Sequence, residues 1–147
     1  MWGISPYYER NRKGETGYLS RDPAGFKWTR NLNVTIQSGY TVGVHEGEVN
    51  GVNLAFLHNA TIFPSAYPDS GPEDVVRSIA VFGKGCLEFL CQKGIIPAVC
   101  VTNDWFTGLI PAYAKNKSFG ETFSGTTFFH IVHNLEPSYE GRIFSSP

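Results

Sequence analysis

An α/β fold with an open, mostly parallel sheet is predicted for this chain by three observations. Residues 71–93 carry apolar side chains at helical spacing. Two short, continuous apolar runs follow, "IIPAVCV" at 95–101 and "TTFFHIV" at 126–132. A second helical stretch lies between those runs. Continuous apolar runs are the pattern of strands covered on both faces, which is how parallel strands are built. The alternation helix–strand–helix–strand is that of a crossover unit, whose parallel strands are joined through a helix.

Taken in order, "MWGISPYYE" reads as a short strand running into a loop, and the polar, Gly- and Pro-containing residues 10–31 read as a long loop. Residues 32–58 are rich in β-branched side chains with repeated alternation, and predict two or three antiparallel strands, the last at Val52–Leu57. Asn50-Gly51 is the two-residue hairpin turn between them. After a second loop, "NATIFPSAYPDSG", Ser70 and Glu73 predict a capping box with Pro72 in the first helical turn. Val75, Ile79, Phe82, Cys86, Phe89 and Leu90 then mark the buried face, and Gly94 closes the helix. Asp104 is placed to cap the second helix, "WFTGLIPAYAK", in which Pro111 predicts a kink.

The totals bound what this fold can serve. The 147 residues fit one domain with a real core, and 41% hydrophobic with 17% charged residues is a globular composition. A net charge of −1, with no basic cluster longer than Arg10–Lys13, gives no footing for nucleic acid or a membrane surface. No apolar run approaches the ~20 residues of a membrane span. Aromatic residues are abundant at 14%, a composition compatible with sugar-stacking surfaces as well as with core. Cys86, Cys91 and Cys100 match no zinc or redox spacing and are expected to be buried thiols in a reducing compartment. The sequons at Asn33, Asn59 and Asn116 read as chance occurrences, because no secretory leader precedes them.

In open α/β sheets, ligands sit beyond the carboxyl ends of the strands. Two stretches occupy those positions, 102–105 and 133–135, separated by one crossover. His133 at a strand mouth suits the reading of a sugar hydroxyl, since each ring nitrogen donates or accepts one hydrogen bond; it can equally satisfy backbone groups of its own loop. His130, three residues earlier, faces the other side of the strand and is expected to be packed or interfacial, so the pair is not a metal chelate. Asp104 can aim its carboxylate at the cleft while capping the helix. Trp105 offers a stacking face or packs on the sheet, and Tyr67 is either a ligand contact or a staple for the helix start. No Ser-His-Asp order, Cys-His dyad or phosphate-cradling glycine loop can be assembled.

Read together, "VGVHEGEVNGVNLAFLHN", "AYPDSGPEDVVRSIAVFGKGCLEFL", "VTNDWFTGLIPAYAK" and "FFHIVHNLEPSYEGRIF" resemble, in order and spacing, the starch and glycogen synthases, glycosyltransferase family five. The resemblance covers nearly the whole chain. It implies one half of a GT-B enzyme, two Rossmann-like domains facing across a cleft, with no cofactor and no metal at the centre. The activity implied is retaining transfer of glucose from a nucleotide sugar, ADP-glucose or UDP-glucose, to the non-reducing end of an α-1,4-glucan, in the cytoplasm or a plastid. By matching position, His133 and Asp104 are expected to be catalytic, with Tyr67, Asn103, Trp105 and Asn134 contacting substrate.

Two departures qualify the match. Val101, Thr102 and Asn103 stand where the family has His-x-His before the Asp-Trp pair. The family's Lys-x-Gly-Gly-Leu loop is expected upstream of Met1 and its second catalytic domain after Pro147. Residues 1–147 are therefore expected to be a partial N-terminal catalytic domain, inactive alone because the leaving diphosphate needs cationic groups the chain does not supply. The competing expectation is a remnant that binds glucan or a partner without catalysis.

Overall fold

The computed structural model describes residues 1–8, 10, 25–65 and 71–133. The chain packs as two compact units, Met1–Asp69 and Ser70–Pro147.

The first unit is a four-stranded sheet: β1 (Trp2–Tyr7), β2 (Lys27–Thr35), β3 (Gly39–Val49) and β4 (Val52–His58), in the order β1-β4-β3-β2. β2, β3 and β4 form an antiparallel meander, and β1 joins β4 in parallel. Period-two alternation puts Leu32, Val34, Val42, Val44, Ala55 and Leu57 on one buried face, with Leu32 opposite Val42 and Val44 opposite Leu57. Each of these valines and leucines removed from water contributes about 1.5–3 kcal/mol. The β3–β4 turn is the expected Asn50-Gly51 pair, with positive φ at both residues (51° and 79°), as a type I′ turn requires. One boundary differs from expectation: β2 begins at Lys27, inside the stretch read as loop, and a bulge between Trp28 and Arg30 lets its polar start join the ladder.

The second unit is built on α1 (Pro72–Lys93). Every residue on its expected apolar face is buried. Gly94 takes the left-handed conformation (φ 67°), and the Ile95 and Gly94 amides bond the carbonyls of Leu90 and Cys91, a Schellman close. At the other end the expected capping box gives way. The N-cap is Gly71, with no side-chain cap, so Pro72 is the first helical residue and the helix starts one position too late for Ser70 to cap it; Ser70 itself lies outside the described residues.

The second helix also differs. Residues 105–115 divide into a 3₁₀ turn (Trp105–Thr107) and α2 (Leu109–Lys115), hinged at Gly108. This break puts Pro111 in the first turn of α2, where its missing N–H has no helical acceptor to lose, so no kink is needed. α1 and α2 lie against each other at Gly83, where an added Cβ would meet Tyr113 Cδ2 at 3.4 Å and Ile110 Cγ1 at 3.6 Å. Phe82 meets the Phe106 ring at 5.2 Å.

β5 (Val99–Asn103) and β6 (Thr127–Ile131) are parallel, as the crossover predicts, with Val101 opposite Phe129 and Asn103 opposite Ile131. Their expected cover on both faces is not found. Val99, Val101 and Phe129 are 53%, 52% and 57% exposed, and Ile131 shares their face. The alternate positions are better shielded, with Thr102 buried and Cys100 and Phe128 half-buried, although His130 is exposed. The apolar runs thus encode two covered faces, and this unit covers one. The thiols follow the same division: Cys86 is buried, while Cys91 and Cys100 are half-buried.

Candidate functional site

β5 and β6 end side by side, and the residues just past them converge. The backbone N–H of His133 donates to Asp104 Oδ1 at 2.8 Å, and His133 Nε2 lies 3.1 Å from Asn103 Oδ1. Two loops 29 residues apart in sequence are therefore joined at the carboxyl edge of a parallel pair.

Asp104 is the hinge of this rim. Its φ of 57° with ψ of −179° is a backbone conformation that glycine tolerates and other residues reach only when held there. Three anchors hold it. Its N–H donates to Ile131 O (2.8 Å), its carbonyl accepts from the N–H and hydroxyl of Thr107 (both 3.2 Å), and its carboxylate accepts from His133. The Thr107 hydroxyl also reaches Asn103 O at 2.7 Å. The expected helix cap is consequently absent. With its backbone turned this way, the Asp104 carboxylate does not cap the turn it precedes and reaches the His133 amide just past β6 instead.

Trp105 follows in the 3₁₀ turn, half-buried and edge-on to Phe106 at 5.4 Å. Thr107 braces the rim from within the turn and carries no motif that marks it in the sequence. Tyr67 and Asn134 lie outside the described residues. His130 is exposed rather than packed, with Nδ1 2.9 Å from the Thr102 hydroxyl. Strand alternation separates this contact from the other imidazole: Thr102 meets His130 on one face, and Asn103 meets His133 on the other. Among the described residues no set of three or more His, Cys, Asp or Glu side chains forms a metal-holding group. No described helix is long and apolar enough to cross a membrane.

The rim presents an imidazole and a carboxamide, with one carboxylate already committed to a backbone amide. It is a hydrogen-bonding surface suited to hydroxyl groups, and among the described residues that form it there is no Lys or Arg to meet a diphosphate.

Residues 3–144 match the sequence profile of a family described as starch synthase catalytic domain. The glycogen synthase of Syntrophotalea carbinolica is 36% identical over 148 residues, covering 94% of this chain and 28% of that protein. The glycogen synthase of Lachnospira eligens is 38% identical over 96 residues, covering 65% of this chain and 20% of that protein. Among solved structures, the catalytic domain of starch synthase IV from Arabidopsis thaliana, bound to ADP and acarbose, aligns over 97% of this chain and 30% of its own, with a TM-score of 0.69 at 19% identity. The chain thus spans under a third of the length of each of these proteins. With its GT-B-type α/β fold and a family match over nearly its whole length, the chain belongs to the starch and glycogen synthase family of glycosyltransferases.

Proposed function

We propose that this chain is the acceptor-side, N-terminal part of a retaining glucosyltransferase that lengthens an α-1,4-glucan from a nucleotide-linked glucose. The convergence of Asn103, Asp104 and His133 at one strand edge carries the reading: an imidazole and a carboxamide held together there suit sugar hydroxyls, and the family match spans the same residues. His133 hydrogen-bonds the transferred glucose. Asp104 holds the His133 backbone in place. Trp105 and Asn103 line the cleft beside it, and Tyr67 and Asn134 complete the substrate contacts. The ADP bound by starch synthase IV supports an adenosine donor, and its acarbose supports a glucan acceptor.

Charge developing on the leaving diphosphate is stabilised by cationic groups aimed at it in advance. Asn103, Asp104 and Trp105 supply none, so the reaction draws those groups from a second catalytic domain outside residues 1–147. Retaining transfer here asks this half for orientation: it fixes the sugar while the other half draws off the phosphate charge.

The test is a chimera in which the chain replaces its matching stretch of the Syntrophotalea carbinolica glycogen synthase. Incorporation of glucose from ADP-glucose or UDP-glucose into glycogen should be retained, and His133→Ala should lower kcat about 100-fold or more. The isolated chain should transfer nothing. A chimera that folds but incorporates no glucose from either donor would sink the reading.

A further inference from the structure

At the carboxyl ends of β5 and β6, the side chains of Asn103 and His133 meet, Oδ1 against Nε2, at 3.1 Å. An amide oxygen only accepts hydrogen bonds, so the ring nitrogen facing it must carry the hydrogen. With Nε2 protonated, a neutral imidazole keeps its lone pair on Nδ1, which meets no hydrogen-bond partner among the described residues. The ring is held from both ends, since the His133 backbone N–H is fixed on Asp104. The other imidazole nearby, His130, lies on the opposite face with Thr102 and does not compete for this contact.

We propose that Asn103 is a positioning residue that fixes His133 in its Nε2–H tautomer, leaving Nδ1 as a hydrogen-bond acceptor for a hydroxyl of the bound sugar. The proposal rests on the sugar-contacting role of His133 given above. It adds a direction to that contact: the sugar hydroxyl donates and the imidazole accepts. An imidazole free to exchange tautomers would satisfy this geometry only part of the time, and Asn103 removes the alternative.

The chain contains four histidines, His45, His58, His130 and His133, so its ring-nitrogen spectrum is small enough to assign. Selective ¹⁵N-histidine labelling of the dilute chain, with His133→Gln to identify the signal, reads the tautomer directly. The expected result at neutral pH is a protonated Nε2 and an unprotonated Nδ1. Asn103→Ala should draw the two His133 nitrogen shifts together while the His130 signals stay in place, and Asn103→Asp, which keeps an acceptor, should restore the Nε2–H form.

A dominant Nδ1–H form in the unsubstituted chain, or unchanged His133 shifts in Asn103→Ala, overturns the positioning role; if Asn103→Ala fails to fold, the unsubstituted spectrum decides alone. In the chimera, Asn103→Ala should lower kcat on the order of five- to tenfold, about one hydrogen bond's worth, and add nothing further in the His133→Gln background. An equal loss in that background also overturns the role. An inactive unsubstituted chimera counts against glucosyl transfer and leaves the tautomer measurement standing on its own.

Discussion

The Asp104 carboxylate accepts a hydrogen bond from the His133 backbone N–H at 2.8 Å, linking the ends of two parallel strands through a residue whose own backbone sits in glycine territory. The side chain that the sequence suggests as a helix cap is a cross-strand strut. Its backbone conformation turns it away from the helix it precedes, and the His133 amide just past β6 takes the carboxylate instead.

Substitutions at Asp104 should therefore separate the strut from the strain. Asp104→Ala loses the acceptor and keeps the unfavourable φ, and should cost about 1–3 kcal/mol of unfolding free energy. Asp104→Gly loses the same bond but relaxes the backbone, and should be about 1 kcal/mol more stable than the alanine variant. Asp104→Asn keeps an oxygen acceptor and bears the same backbone cost as Asp104, so it should lie closest to the unsubstituted chain. Urea titrations rank the three. Equal stability of the alanine and glycine variants would remove the strain argument.

Alkaline pH should weaken the second unit before it weakens the first. Burial pushes the Cys86 thiol well above its ordinary value near 9, with Cys100 nearby adding to the shift. Burial also raises Cys100, and raises Cys91 beside Glu88. In the unfolded chain these thiols ionise at ordinary pH values, so the unfolded state loses protons that the folded state keeps. Stability is then full below about pH 9 and falls as pH rises, with Tyr113, also raised by burial, extending the loss above about 10. Thermal melts from pH 7 to 10.5 check this. Cys86→Ala should flatten the slope; a steeper slope in that variant contradicts the assignment.

What the sequence made legible follows the range of the interactions concerned. α1 was readable because Val75, Ile79, Phe82 and Cys86 recur with the helix's own period, and the Asn50-Gly51 turn because two adjacent residues decide it. The pairing of β5 with β6 was readable from their apolar runs and the helix between them. The true N-cap at Gly71 and the hinge at Gly108 were not, because glycine competes with Ser70 and Asp104 only once the flanking chain direction is known. Asn103 and Asp104 could be placed at the rim from the sequence, but their partners could not. Those bonds depend on the register in which two strands 29 residues apart meet. The exposed face of β5 and β6 was misread for the same reason: the runs report that a face is apolar, and what covers it lies elsewhere.

That face has a measurable consequence. Val99, Val101, Phe129 and Ile131 form a contiguous exposed apolar strip on a parallel pair. Patches of this kind drive association. The isolated chain should bind a hydrophobic dye such as ANS and shift to larger species on size exclusion as concentration rises. Phe129→Lys should reduce both signals, with Val101→Lys adding to the effect. A monodisperse, dye-silent chain at high concentration would count against an uncovered strip.

Lys115 should prove the main stabiliser of the loop that feeds β6. Its Nζ donates to three converging carbonyls, Phe123 (3.2 Å), Ser124 (3.0 Å) and Thr126 (2.8 Å), and lies 5.5 Å from the centre of the Phe128 ring. An ammonium has three donors and no acceptor, so the match is complete. Lys115→Met keeps the apolar stem and removes all three bonds. Water can replace part of what is lost at exposed Ser124 and less at buried Phe123, so the net cost should be about 2 kcal/mol. Lys115→Arg keeps the charge, but its planar fork cannot point at three carbonyls that converge on one atom, and should recover only part of the loss. Hydrogen exchange locates the effect: amides of residues 119–127 should exchange faster in Lys115→Met, with those of β3 and β4 unchanged. Uniform acceleration across both units would show that Lys115 supports the fold as a whole, and unchanged exchange at 119–127 would show that the three carbonyls hold the loop without it.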